Sequence, residues 1–168
     1  AVVWRGPMLH GAIKSFLHDV DWRDLDYLLV DLPPGTGDVQ LSLVQQTFVA
    51  GAVVVTTPSM VAIEDTVKAV SMFAKLNVPV LGVIENMSYF MCGNCGERHD
   101  IFNTGDPAAR AAEMGLPFLG AIPIHPDVRA GGDTGRPVVL GHPDSGSARA
   151  LIAIAADLAQ PISIQTIG

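Results

Sequence analysis

Short apolar runs alternate with amphipathic segments along most of this chain, and this alternation restricts the possible folds more than any other feature. The apolar runs are predicted to form strands near 27–31, 52–56, 80–85 and 118–122. The segments between and after them are predicted to form helices near 38–48, 60–77, 106–115 and 145–160. This order of elements is typical of βαβ units, so we predict an α/β fold with a doubly wound, mostly parallel sheet.

The composition supports this architecture and a single domain. Hydrophobic residues make up 49% of the 168 residues and charged residues only 16%, which suits a sheet covered on both faces. The length is enough for one domain with a sizeable core. We therefore expect one domain over residues 1–160 and a loosely held tail over 161–168.

Charge and cysteine content exclude several classes of function. The net charge is −7 and no basic cluster is present, which argues against nucleic acid or an anionic membrane as partner. No stretch approaches the ~20 apolar residues of a membrane span, and no charged-then-apolar leader begins the chain. The two cysteines are too few for a secreted disulfide scaffold. We predict a cytoplasmic protein.

Polar and unusual residues follow each predicted strand at its carboxyl end. These positions are 31–38, 56–59, 85–86 and 122–125. In open α/β sheets, ligands bind outside the carboxyl ends of the strands. The sequence therefore predicts a ligand site at this rim of the sheet.

The stretch "YLLVDLPPGTGD" (27–38) indicates the chemistry of that site. An acid at the tip of an apolar strand suits a Walker B position, where Asp31 would hold Mg²⁺, and the following Pro-Gly turn would offer amides to a γ-phosphate. The alternative is a strand-end acid ahead of an ordinary turn, with Asp38 as the N-cap of the next helix. The motif alone favours neither interpretation.

The second half of a phosphate site is missing from the sequence. The pattern G-x-x-x-x-G-K-[ST] does not occur, and the three lysines, Lys14, Lys68 and Lys75, follow Ile, Val and Ala. Without that loop, no backbone cradle or lysine neutralises the β-phosphate. Either the chain is no nucleotide hydrolase, or the loop precedes residue 1.

The stretch "MCGNCG" places Cys92 and Cys95 two residues apart among glycines. Two thiolates do not complete a tetrahedral zinc site or a four-cysteine cluster, and the nearby His99 is expected to be solvated. A two-fold dimer would supply four thiolates at its axis. A shared cluster, a shared zinc ion and a redox pair remain as alternatives, although a redox pair normally opens a helix.

Five stretches together resemble the Mrp/ApbC family of deviant-Walker P-loop ATPases that carry iron–sulfur clusters. They are "WRGPML" (4–9), "WRDLDYLLVDLPPGTGD" (22–38), "GAVVVTTPSMVAIEDTVKAVSMF" (51–73), "VPVLGVIENMSYFMCGNCG" (78–96) and "FLGAIPIHPDVR" (118–129). The resemblance implies that the glycine-rich loop lies upstream of residue 1. It also implies a P-loop NTPase fold that is incomplete at its N-terminus and leaves an apolar strand edge exposed.

The resemblance implies roles for individual residues. Asp31 would bind Mg²⁺, Gly35 would sense the γ-phosphate, and Asp38 would end a relay toward the cysteines. The rest of the turn would contact nucleotide through Pro33, Pro34, Thr36 and Gly37. Cys92 and Cys95 would hold a [4Fe–4S] cluster shared across a homodimer.

The base-binding edge is also assigned by this resemblance. Asn86 would read adenine, since a carboxamide offers one acceptor and two donors, and Pro123 would pack on the base. Two features of the sequence depart from the family pattern. His125 stands where the family commonly has Asp, and "IFNTGD" (101–106) replaces a glycine-richer run, which bears on that loop's shape.

Two hypotheses from different classes follow. In the first, the protein is an ATP-dependent carrier that passes its cluster to apo iron–sulfur proteins, and the whole protein hydrolyses ATP whereas residues 1–168 alone do not. In the second, the chain is a non-enzymatic dimerisation module held by zinc or a cluster. A G-K-G-G-x-G-K-[ST] run in the upstream reading frame would favour the first.

Overall fold

The computed structural model describes residues 6–33, 37–102 and 105–166. Within these ranges the chain forms seven helices and four strands. In chain order they are α1 (Gly6–His18), α2 (Asp38–Gln46), β1 (Ala52–Thr56), α3 (Met60–Lys75), β2 (Val80–Met91), β3 (Arg98–His99), α4 (Pro107–Glu113), β4 (Phe118–Ile124), α5 (Pro126–Thr134), α6 (Val138–Gly141) and α7 (Gly146–Thr166).

The sheet is built around β2, which pairs in parallel with β1 and with β4. Helix α3 connects β1 to β2, and α4 lies between β2 and β4, so both connections are crossovers of the βαβ type. The short strand β3 pairs antiparallel with the end of β2. The predicted α/β fold with a mostly parallel sheet is confirmed, as are three of its four strands.

The core lies where the sheet meets the last helix. Ile84 of β2, Ile122 of β4 and Ile154 of α7 are buried against one another. Gly120 of β4 allows this contact, since a Cβ there would lie 2.9 Å from Ile154 Cγ1. The close approach of α7 fixes one face of the sheet and, with it, the carboxyl ends of β2 and β4.

The predicted strand at 27–31 is wrong: the structure forms no strand there. A strand exists through hydrogen bonds to a neighbour, and among the described strands β1 pairs with β2 alone, so none flanks this segment. Leu29 is 90% exposed. Val55 of the edge strand β1 is also exposed.

Several element boundaries also differ from prediction. Gly37, not Asp38, is the N-cap of α2, and Asp38 lies in the helix's first turn. Strand β2 continues to Met91 instead of ending near residue 85. Helices α1 and α5 were not predicted, because Gly and Pro dominate the start of the first and Gly the middle of the second.

Helix α7 runs through Pro161 to Thr166, past the predicted domain end at residue 160. The hydroxyl of Tyr27 lies 2.6 Å from Ser163 Oγ, which ties the segment before Asp31 to this helix. The division into a domain and a tail stays a prediction. None of the helices in the described ranges is both long and apolar enough to cross a membrane.

We expect Gly82→Ala to lower the free energy of unfolding by about 2 kcal/mol. Gly82 lies in β2 at φ +155°, and a Cβ there would lie 2.7 Å from the Pro117 carbonyl oxygen and 2.6 Å from Leu119 Cγ. Backbone at that distance cannot move aside cheaply. Urea denaturation measures the change.

Gly132→Ala is the matched control for this substitution. Gly132 lies in α5, and a Cβ would meet nothing within 4 Å. Alanine there should leave stability unchanged or raise it by about 0.5 kcal/mol. Equal effects of the two substitutions would contradict the packing described for β2.

Candidate functional site

The two cysteines lie in the turn of a β-hairpin. Beyond Phe90 and Met91, which pair with His99 and Arg98, the chain reverses through residues 92–97. Two backbone hydrogen bonds close the turn: Cys92 N–H donates to Glu97 O, and Gly96 N–H donates to Cys92 O, both at 2.9 Å. Cys92 is half-buried and Cys95 exposed, so the hairpin presents both thiols at the surface.

The turn stabilises the thiolate form of Cys92. Hydrogen bonds from the backbone N–H of Cys95, then from that of Asn94, and then from the Cys95 side chain lower the pKa of the Cys92 thiol, while partial desolvation opposes them. Thiolates are the form that binds metals. The turn therefore favours the reactive, metal-binding form of the Cys92 thiol.

We expect Cys92 to react with iodoacetamide at lower pH in the folded protein than in the protein unfolded by urea. The folded-state pKa of Cys92 is depressed, so its thiolate is stabilised by folding, and this stabilisation is lost as pH falls through the folded pKa. The Cys95→Ser variant leaves Cys92 as the one cysteine of the 168 residues. The principal donor, the amide of residue 95, remains in this variant. Equal pH midpoints for the reaction of Cys92 with and without urea would contradict the assignment.

Apolar side chains surround the hairpin at the surface. Met87 and Met91 of β2 and Ile101 and Phe102 after β3 are all between 42% and 55% exposed. His99 stacks loosely on Phe90, with ring centroids 6.4 Å apart, and its Nε2 lies 3.9 Å from Glu97. Within the described residues, no group of three His, Cys, Asp or Glu side chains is placed to hold a metal. One copy of the hairpin thus presents two thiols and no third such side chain grouped with them among the described residues.

The parallel strands bring polar residues to one rim, as predicted for strands of this type. Thr56 at the end of β1 is opposite Glu85 of β2, and Asn86 is opposite Ile122 of β4. Glu85 is therefore held between two strands, and Asn86, which pairs with β4, lies one residue before the chain turns toward the hairpin.

A bulge in β2 separates Asn86 from the hairpin. The register with β4 shifts between Asn86 and Phe90, and Met87 takes the left-handed conformation at φ +55°. Asn86 Oδ1 accepts a hydrogen bond from Met87 N–H at 2.9 Å. The carboxamide therefore helps to form the bulge.

Strand β4 supplies the other side of this rim. Pro123 is buried and its carbonyl accepts a hydrogen bond from Ser147 Oγ at 3.3 Å. His125, at the position where the family has Asp, is the N-cap of α5: its Nδ1 accepts from Asp127 N–H at 3.2 Å. The imidazole thus performs the capping that a carboxylate would perform.

The Asp31 segment lies against helices α1 and α2. Asp31 is exposed and borders a mostly apolar cavity of about 240 Å³ between the segment and helices α1 and α2. Pro33 is held through its carbonyl, which accepts from the buried Gln40 at 3.0 Å. The predicted contacts Pro34, Gly35 and Thr36 lie outside the described residues.

A buried ion pair was not predicted. Glu85, only 3% exposed, pairs with Arg110 of α4, and its Oε1 accepts a hydrogen bond from Ser88 Oγ at 2.6 Å. An acid inside the apolar run "VLGVIENM" marked the position as unusual. Its partner is 25 residues away in sequence, and nothing local indicated it.

The two residues that the resemblance assigns to the base differ in exposure. Asn86 is half-buried and Pro123 is buried, so of the two Asn86 presents more side-chain surface. Asp31 offers a single exposed carboxylate, which suits Mg²⁺, an ion that keeps most of its ligands as water and phosphate.

The parallel sheet with crossover helices and a polar carboxyl rim defines an α/β nucleotide-binding fold of the P-loop NTPase class. The cell-division ATPase MinD of Pyrococcus furiosus superposes on it with a TM-score of 0.68 and 26% identity, covering 95% of this chain and 63% of MinD. A nucleotide-binding protein from Archaeoglobus fulgidus, solved with ADP and cobalt, gives 0.65 and 41%, covering 77% of this chain and 53% of its own.

Residues 1–159 match the model of the NUBPL iron-transfer P-loop NTPases, and the chain belongs to this family. It is 54% identical over 167 residues to the iron–sulfur cluster carrier protein of Deinococcus radiodurans, covering 99% of this chain and 47% of that protein. It is 46% identical over 157 residues to the mouse iron–sulfur cluster transfer protein NUBPL, covering 94% and 49%. The chain thus spans about half the length of these curated relatives.

Proposed function

We propose that this chain is the cluster-binding part of an ATP-dependent iron–sulfur cluster carrier. In this proposal, Cys92 and Cys95 of two copies hold a [4Fe–4S] cluster, which is the cargo, and the protein passes it to apo-proteins. The observation that carries the proposal is the hairpin turn: two surface thiols, with backbone N–H groups that stabilise the Cys92 thiolate. The names of the relatives from Deinococcus and mouse support the same cargo.

A homodimer follows from ligand number. Each hairpin offers two thiols, and the described part of the chain groups no third metal-binding side chain with them. A [4Fe–4S] cluster takes four cysteine ligands, so two copies complete the site. The exposed Met87, Met91, Ile101 and Phe102 give the two hairpins apolar surface to pack together.

Surface exposure suits a carrier better than a permanent cofactor site. Cys95 is exposed and Cys92 half-buried, so an incoming thiolate from a recipient can reach the iron that they hold. A structural cluster would be enclosed by the fold to protect it. We therefore assign the cluster to transfer rather than to electron storage.

The nucleotide is proposed to act at the rim. Asp31 would bind Mg²⁺, which neutralises phosphate charge. Asn86 would read adenine and Pro123 would pack on the base. Contacts to the phosphates would come from the turn formed by Pro33, Pro34, Gly35, Thr36 and Gly37, and Asp38 would end a relay toward the cysteines. Because Asn86 lies just before the bulge that leads to the cysteines, nucleotide binding there is coupled through one short segment to the hairpin.

Transfer to an apo-enzyme tests this function. The whole protein, reconstituted anaerobically, is mixed with an apo-enzyme that is active only with its own [4Fe–4S] cluster. We expect the enzyme's activity to rise to the level set by the carrier's cluster content, and faster than with equal free iron and sulfide. A rise no faster than with free iron and sulfide would contradict the carrier proposal. A colourless zinc-bound dimer would favour the dimerisation module.

A further inference from the structure

We infer that Glu85 and Arg110 are positioning residues that hold the cysteine hairpin in a set orientation relative to Asn86. The ion pair joins β2 to α4, and the chain between its two members contains Asn86, the bulge and the whole hairpin. It therefore closes a loop whose two ends would otherwise be joined only through the sheet and the packing of α4.

The ion pair is anchored on its Glu85 side by the sheet. Glu85 lies on the central strand, opposite Thr56 of β1 and Ala121 of β4, so its backbone is held on both sides. Its carboxylate is 4% exposed and the Arg110 side chain 18%. The gap beside them has a volume of about 10 Å³, room for at most about one water molecule.

The carboxylate also reaches across the bulge. While one oxygen of Glu85 pairs with Arg110, the other accepts from Ser88 Oγ at 2.6 Å. Ser88 follows Met87, whose left-handed backbone turns the chain. The same acid thus fixes both the turn that leads into the hairpin and the helix that follows it.

Burial explains why this arrangement would be sensitive to a single change. Removing one partner of a buried ion pair leaves the other charge without compensation, and the segment holding it must rearrange toward water. Here the adjustable segments are the bulge and the return from the hairpin to α4. Rearrangement would therefore move the thiols relative to Asn86, whereas the sheet core at Ile84 would keep its packing.

Hydrogen exchange of the whole protein, without metal or nucleotide, tests the inference. In Arg110→Met we expect the amides of Cys92 and Gly96, which bond within the hairpin, to exchange about tenfold faster. Such surface amides exchange through local opening, so a loss of global stability alone would not accelerate them. Arg129→Met is the matched control, because it breaks an exposed pair with Asp133.

Two further variants keep the test decisive. Arg110→Lys retains the charge and should restore part of the hairpin protection. Ser88→Ala removes only the hydroxyl, and should speed hairpin exchange by about threefold even if Arg110→Met fails to fold. Faster exchange confined to the slow core amides in all folded variants, with the hairpin unchanged, would overturn the inference.

The inference rests on the proposed function only in treating Cys92 and Cys95 as ligands. The exchange measurement needs no cluster, so the two can fail separately. If the hairpin loosens in Arg110→Met while the parent protein binds no iron, the positioning role stands and the carrier function fails. If the parent protein binds its cluster and hairpin exchange is unchanged in Arg110→Met, the carrier function stands and the positioning role fails.

Discussion

Serine in place of Cys92 or of Cys95 is expected to remove the iron–sulfur cluster from the reconstituted protein. Because the site is shared by two copies, one substitution removes two of four ligands. The broad absorbance of the cluster and the shift from monomer to dimer should disappear together. Absorbance spectra and size-exclusion chromatography of anaerobically reconstituted protein measure both.

His99→Ala is the control for the cysteine substitutions. His99 lies on β3 beside the hairpin, but its ring faces Phe90 and Glu97, so it is not expected to bind iron. The His99→Ala variant should keep both the absorbance and the dimer. A Cys92→Ser, Cys95→Ser double variant that still binds iron and sulfide like the parent would contradict the assignment of the hairpin.

Asp31→Asn is expected to lower the ATPase rate of the whole protein by at least about a hundredfold, which corresponds to roughly 2.7 kcal/mol of activation free energy. Asparagine keeps the shape of the side chain but removes the charge that Mg²⁺ requires. Steady-state phosphate release measures the rate.

Asp26→Asn is the matched control for Asp31. Asp26 is an exposed acid in the same segment, five positions earlier in the numbering, and has no proposed metal role. Its substitution should leave the rate within about twofold. Full activity of Asp31→Asn would show that another group binds the metal.

The parts of the fold that depend on local pattern were predictable from the sequence. The β-branched run at β1 and the apolar runs at β2 and β4 form strands, because each has the pattern of a strand buried on both faces. Asp106, Pro107 and Gly115 mark the ends of α4 as cap, first-turn proline and left-handed stop. Glycines and prolines of this kind act through local backbone geometry.

The parts that depend on a distant partner were not predictable. Residues 27–31 have the pattern of a strand, but no described strand lies beside them, and pattern alone cannot supply hydrogen-bond partners. The sequence around Arg110 is that of an ordinary surface position on α4, and only the folded structure shows its ion pair with Glu85. His125 departs from the family pattern yet caps α5, because an imidazole nitrogen also accepts a hydrogen bond.

The candidate site also has features that the sequence predicted and features that only the structure shows. The cysteine pair was identified from spacing, and the structure adds the hairpin and the N–H donors that lower the pKa of Cys92. The rim position of Asn86 follows from strand register, whereas its part in the bulge required the observed left-handed Met87. The roles of Asp31, Gly35 and Asp38 stay predictions.

Iron content and molecular mass, measured on the same reconstituted sample, test the central claim most directly. Multi-angle light scattering with iron and sulfide analysis should find a dimer that contains about two irons and two sulfides per chain, as a [4Fe–4S] cluster shared by two copies requires. A monomer carrying a full cluster, or a dimer whose only metal is zinc, would contradict it.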